Sequence, residues 1–169
     1  MTLTTGTAEG QLRREMAELF DAHGQALWAL ARKLCHHRHD AEDVFQETAA
    51  RAWKHLAGQP QIVNRRAWLM TITYHVFLDQ RKKAKACDAL PDVLDSRTQA
   101  PQVDAVARED AKRVQAAIEC LPDGVKDVFV LHYSGGLSLR ETATAMGIAV
   151  GTAKSRLNTG LIQLRKTLQ

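Results

Sequence analysis

The side chains best equipped for chemistry lie in the last third of the chain. From Gly151 onward, Ala153, Leu157, Leu161, Leu164 and Leu168 recur at helical spacing, while Thr152, Ser155, Arg156, Thr159 and Gln163 fall on the other side and Lys154 on the flank. A helix with a small-polar and basic outer face suits a DNA major groove, where Arg and Lys read guanine edges and Ser or Thr reach bases or phosphates. An ordinary helical hairpin with a solvated face has the same pattern. Seven histidines are scattered along the chain, and no Ser-His-Asp or paired-carboxylate grouping stands out. The sequence therefore offers no catalytic residues and calls for no cofactor.

The element before this helix positions it. Ser138 with Glu141 three residues later forms a capping box. Leu139, Ala143 and Met146 share a helical face, and Gly147 is placed to end the helix in a left-handed conformation. Short helix, glycine turn and longer helix read as a helix-turn-helix.

A second group of functional side chains opens another helix. Asp40 reads as its N-cap, with Asp43 completing a capping box. Ala41, Val44, Phe45, Thr48 and Ala52 face inward and leave Asp40, Asp43, Gln46 and Glu47 as an outer acidic and amide strip. The macrodipole accounts for acids in the first turn. Glu47 lies two turns in, so the strip also fits a docking surface for a basic partner.

A third group lies on a helix over 65–85. Trp68, Leu69, Ile72, Val76 and Asp79 lie along one side, and Arg65, Arg66, Tyr74 and His75 are among those distributed around the rest. Arg81-Lys82-Lys83 and Lys85 form its cationic end. Basic residues at both ends with aromatics between suit a single nucleic-acid strand, held by charge and stacking. Tyr74 and His75 are the candidate contacts and Trp68 the core residue.

The chain has 169 residues, 45% hydrophobic and 25% charged, with a net charge of +4. These values fit a folded chain able to meet nucleic acid. Nothing approaches the roughly 20 apolar residues of a membrane span. Cys35, Cys87 and Cys120 suggest no disulfide framework, so a reducing cytoplasm is expected. Cys35-His36-His37 with His39 are metal-ligand types, but adjacent residues at a helix end do not converge on one ion, and no metal site is assigned.

The expected fold is all-α: two small helical domains joined by a flexible linker, the second carrying the helix-turn-helix. Residues 1–10 are expected to be disordered. The first domain spans 11–85, with four or five helices, one over 12–34 with a bend at Gly24. A linker over 86–104 is marked by Pro91 and Pro101. The second domain, 105–169, has four helices, including 105–121, with Ala107, Ala111, Val114, Ile118 and Leu121 inward, and 125–133.

These motifs, in this order, resemble the extracytoplasmic-function (ECF) sigma factors of the sigma-70 family. Asp40-Ala-Glu-Asp-Val-Phe-Gln-Glu-Thr-Ala-Ala-Arg-Ala-Trp-Lys-His55 looks like the family's polymerase-binding segment. Arg66-Ala-Trp-Leu-Met-Thr-Ile72 with Leu78-Asp79 looks like its −10 helix. Leu121-Pro122, Val128-Phe-Val-Leu-His-Tyr133 and Gly136-Leu-Ser138 look like the start of its C-terminal domain, and Gly151–Leu157 like its −35 recognition helix. The resemblance implies a transcription initiation factor. It assigns Asp40, Asp43, Gln46 and Glu47 to the large-subunit clamp of core RNA polymerase. It assigns Asn64, Arg65, Arg66, Tyr74, His75, Arg81 and Lys82 to the −10 element, where the loop 58–64 captures an unstacked base. Thr152, Lys154, Ser155, Arg156 and Thr159 go to the −35 element of promoter DNA. An anti-sigma factor is the implied regulator. The chain departs from the family at His75, where Asn is frequent, at Ala149, where a polar N-cap is usual, and at Thr142 and Ala145, which replace larger aliphatic residues. Two other readings remain at this point: a helix-turn-helix regulator acting alone, and a sigma-like decoy that sequesters an anti-sigma factor.

Overall fold

A computed structural model describes residues 5–35, 37–58, 62–86 and 105–168. The chain divides into two compact units, Met1–Leu94 and Asp95–Gln169. Most of the expected linker, 87–104, lies outside the described residues, as do 59–61 of the loop, His36 and 1–4.

Among the described residues the first unit holds three helices, not four or five: α1 (Thr5–Leu34), α2 (Arg38–Leu56) and α3 (Arg65–Ala86), each packed on the other two. Long helices replace the shorter pieces because glycine did not break them. α1 passes through Gly24, and its backbone is helical from Thr5, so much of the segment expected to be disordered extends the helix. An Arg13–Glu9 ion pair at 2.7 Å, one turn apart, supports that extension. Leu27, Leu30, Val44, Leu69, Met70 and Val76 are fully buried where the helices meet. Phe45 projects edge-on between Phe20 and Trp28, with ring centroids 5.8 and 5.9 Å away. Thr48 and Thr73 enter this core because their hydroxyls donate to the carbonyls of Val44 and Leu69 one turn back.

Helix α2 begins earlier than its Asp40–Asp43 pattern predicts. Its N-cap is His37, which makes no side-chain cap bond, and Asp40 lies inside the first turn. Arg38 pairs with Glu42 at 2.8 Å and His39 with Asp43 at 3.3 Å, so the Asp43 carboxylate meets a side chain one turn back rather than completing a capping box, and Asp40 acts as a first-turn acid at the positive end of the helix.

Cys35 closes α1. Burial, with the Asp40 charge adding to it, pushes its thiol up to about 12. Such a sulfur remains a protonated thiol at neutral pH, the opposite of a metal ligand. Among the described residues no group of three or more His, Cys, Asp or Glu is arranged to hold a metal ion.

The second unit contains α4 (Ala105–Glu119), α5 (Asp123–Phe129), a wider π-helical turn (Val130–Ser134), α6 (Leu139–Met146) and α7 (Val150–Leu168). Ala117, Leu121, Phe129 and Leu164 form its core, with Ile118, Val125, Leu157 and Leu161 packed around them. Val114, expected inside, is exposed; Ala117 takes the inward phase, and the side chains of Ala107 and Ala111 lie outside those described. Leu168, the last member of the α7 stripe, is also exposed. The π turn, where the sequence suggested one helix over 125–133, is closed by the Gly135 N–H donating to the Val130 carbonyl at 2.9 Å.

Gly160 lets α7 approach α5. A Cβ there would lie inside van der Waals contact with the Phe129 ring and 2.9 Å from Val125 Cγ1. Gly160→Ala should therefore destabilise the second unit by about 1–3 kcal/mol, despite a gain of roughly 1 kcal/mol in helix propensity. All three tryptophans, Trp28, Trp53 and Trp68, belong to the first unit. Urea unfolding followed by far-UV circular dichroism should show the loss, while the tryptophan fluorescence transition stays in place. Thiol labelling at pH 8 should modify exposed Cys120 rapidly and leave Cys35 unmodified until unfolding. Because the raised Cys35 value favours the neutral folded state, its contribution is intact below about 9, the ordinary thiol value, and is lost as pH climbs toward 12.

Candidate functional site

Two surfaces carry the candidate residues, one on each unit. In the second unit the helix-turn-helix is built as its sequence predicts. Ser138 Oγ accepts from the Glu141 N–H at 3.2 Å, and Glu141 Oε2 accepts from the Ser138 N–H at 2.8 Å. Gly147 has φ 63°, a left-handed conformation, and the following Ile148 N–H returns to the Ala143 carbonyl at 3.0 Å. α7 then presents Thr152, Lys154, Ser155 and Thr159 to solvent, with Thr159 Oγ1 donating to the Ser155 carbonyl at 3.0 Å.

Arg156 departs from this row. It is half-buried, and its guanidinium packs on Gly124 so closely that a Cβ there would meet Nη1 at 3.0 Å. The missing side chain of Gly124 makes the seat, a feature of α5 that the α7 pattern does not contain. Arg140, exposed on α6, is a cation that the sequence reading passed over. Its place in the first helix of the motif, the one that crosses a DNA backbone in such folds, was the available signal.

In the first unit Asp40, Asp43, Gln46 and Glu47 are all exposed along α2. The pattern of buried Ala41, Val44 and Thr48 turns them outward together. Asp43 meets His39, and Glu47 Oε1 accepts from Arg51 Nε at 2.8 Å.

Asn64 immediately precedes helix α3, and its Oδ1 accepts from the Ala67 N–H at 3.0 Å. The expected loop residue is thus also a cap. Arg65 is half-buried, 3.8 Å from Glu15, while Arg66 is exposed. Arg81 lays its guanidinium over the Phe77 ring, 5.2 Å from the centroid. His75 and Lys82 are exposed and, being seven residues apart, share a face. Arg66 is nine residues from His75 and half a turn out of phase, so it lies off that face.

Tyr74 requires correction as a stacking residue. Its side chain is only 3% exposed. Apolar residues occupy most sides of α3, and the tyrosine falls among Ile72, Thr73 and Val76 in the core. A buried ring cannot stack on a base, so Tyr74 is withdrawn from the contact set.

Between His75 and Lys82 on the exposed face lies Asp79. Arg51 Nη1 donates to its Oδ2 at 2.7 Å from α2. That bond, followed by the nearby Arg51, Lys82 and Lys83 charges, holds the Asp79 carboxyl below the usual carboxylate range. The Glu47–Arg51 half of this bridge is an i, i+4 pair within α2, whereas the Asp79 half joins residues 28 apart in sequence. Among the described residues no helix is long and apolar enough to cross a membrane.

Comparison with known proteins agrees with this division. The family description Sigma-70 region 2 matches residues 19–87, and Sigma-70, region 4 matches residues 111–164. The ECF RNA polymerase sigma factor SigL of Mycobacterium tuberculosis is 34% identical over 161 residues, spanning 91% of this chain and 89% of the relative. SigW of Bacillus subtilis is 31% identical over 167 residues, covering 90% and 88%. Among solved structures, RpoE of Bartonella quintana in complex with the anti-sigma factor NepR has a TM-score of 0.70 at 25% identity, over 94% of this chain and 96% of that one. CnrH with the cytosolic domain of CnrY has a TM-score of 0.66 at 26% identity, over 96% and 93%. With both regions present in order, and relatives above 30% identity along nearly the whole length, this chain belongs to the ECF sigma factors of the sigma-70 family.

Proposed function

We propose that this chain binds core RNA polymerase through α2 and directs it to promoters by reading a −10 element with α3 and a −35 element with α7. The observation that carries the reading is the joint exposure of Asp40, Asp43, Gln46 and Glu47. A regulator that binds operators alone has no use for such a strip in a separate unit. The strip is assigned to the large-subunit clamp, where acidic and amide groups meet a basic surface.

Asn64, Arg65 and Arg66 at the start of α3, with His75, Arg81 and Lys82 farther along, are assigned to the −10 element. The loop 58–64 receives an unstacked base; extrusion costs a few kcal/mol, offset by stacking and by hydrogen bonds to the base edge. On α7, Lys154 is assigned to a phosphate or guanine, with Thr152, Ser155 and Thr159 beside it. Arg156 acts at the edge of this contact, since its guanidinium is partly committed to Gly124. Each unit reads half a promoter, and the two contacts reinforce one another through effective concentration once both sit on the polymerase.

The sigma factor family is not an enzyme class, and we assign this chain a binding role without catalysis, in the cytoplasm. The solved complexes with NepR and with CnrY support an anti-sigma factor as the regulatory partner. The decoy reading is disfavoured by the exposed polar and basic face of α7, which a protein sequestering an anti-sigma factor does not need.

The deciding experiment is run-off transcription with bacterial core polymerase, this protein and a library of promoter DNA. Transcripts should depend on the chain and disappear with Glu47→Lys while circular dichroism stays unchanged. Specific DNA binding by the protein alone, without transcription, would instead support the operator-binding regulator. Within the holoenzyme, Lys154→Ala should weaken promoter binding and lower the slope of log affinity against log salt by about 1 if Lys154 meets a phosphate.

A further inference from the structure

One guanidinium holds a carboxylate from each of the two contact faces of the first unit. Arg51 donates from Nε to Glu47, the last member of the α2 strip, at 2.8 Å, and from Nη1 to Asp79, at 2.7 Å. Asp79 lies on the exposed face of α3 between His75 and Lys82. The three side chains are 34%, 48% and 46% exposed for Arg51, Glu47 and Asp79. A network this open to water adds little to folding stability. Its geometry is more specific than its energy, because the planar fork of arginine fixes the direction of both bonds.

We propose that Arg51 is a positioning residue that couples polymerase docking on α2 to DNA binding on α3, an inference that rests on the assignment of those two faces made above. A basic group of the polymerase that approaches Glu47 competes with Arg51 for its carboxylate. Once Glu47 turns outward, the guanidinium has one anionic partner left and holds Asp79 more fully. Asp79 stands in the field of Lys82 and Lys83. When Arg51 neutralises it, it repels approaching phosphates less and competes less for those lysines. DNA held by Lys82 produces the converse, so each ligand strengthens the other, as linkage requires.

The test compares the affinity of the free full-length protein and of the holoenzyme for one fork-junction DNA, selected by the wild-type holoenzyme from a randomised −10 library. The ratio of the two affinities measures the coupling. Arg51→Lys keeps the charge but offers no planar fork to span both carboxylates, and should reduce the ratio by about five- to tenfold. The swap Arg51→Asp with Asp79→Arg retains an ion pair between α2 and α3 but sets a carboxylate against Glu47. It should leave the thermal midpoint near that of the wild type and still lower the ratio. A wild-type ratio in either variant would overturn the proposal and leave the bridge a structural tie. If the swap does not fold, Asp79→Asn decides, since it retains the shape and removes the charge: a wild-type ratio again overturns the coupling. Asp43→Lys separates the two levels of inference. If it leaves core binding intact, the docking assignment fails. If it weakens core binding while the Arg51→Lys ratio is unchanged, the coupling alone fails.

Discussion

The first unit depends on burying α3. This helix meets both α1 and α2, and Leu69, Met70, Ile72, Thr73, Tyr74 and Val76 are all buried along it. A helix used so heavily as core has little surface left for the DNA contact proposed for it. What remains is its N-terminal junction at Asn64–Arg66, the narrow face of His75, Asp79 and Lys82, and the cationic end. The burial fixes these groups rigidly relative to α2, because no side chain in a close-packed core can shift alone. The residues proposed to meet polymerase and those proposed to meet DNA thus ride on one body, and the proposed capture of a −10 base needs such fixed geometry more than it needs large area.

The second unit solves the opposite problem. Its DNA helix must stand clear of the core along one whole side. Two glycines make that possible in different ways. Gly147, in a left-handed conformation, turns the chain between α6 and α7. Gly160 brings α7 against Phe129, so that a narrow contact suffices to hold the helix. Beneath them Thr142 is fully buried with its hydroxyl unpartnered, where an aliphatic side chain would carry no such desolvation cost. The motif is thus held by local capping and one close approach in addition to the apolar core around Phe129 and Leu164.

Features set by near neighbours were legible in the sequence. The Ser138–Glu141 box, the Gly147 stop and the inward stripe of α2 depend on residues within one or two turns, and all three stand as read. Features set across the fold were not. The start of α2 lies before the one its acids suggest, because Asp40 and Asp43 suit a cap and a first turn equally and local pattern does not separate the two. Tyr74 was misread because an aromatic with a hydroxyl suits core or surface, and α3 has too many apolar sides for periodicity to choose. Arg156 looked free because its seat is the absence of a side chain at Gly124. The π turn at Val130–Ser134 has no local signature at all.

The Arg51 bridge joins these two kinds of information. Its α2 half is a helix-surface pair of a kind that contributes a few tenths of a kcal/mol and is common enough to ignore. Its α3 half exists only once the core has set the two helices side by side. Under the proposed coupling the same bridge also accounts for a carboxylate on the face assigned to phosphate. Alone, Asp79 would oppose DNA; in the proposed coupling it shares the Arg51 guanidinium with Glu47, and its charge is more fully offset once Glu47 is taken by another partner. An acidic residue within a cationic surface is costly only when nothing holds it, and here what holds it belongs to the other contact face.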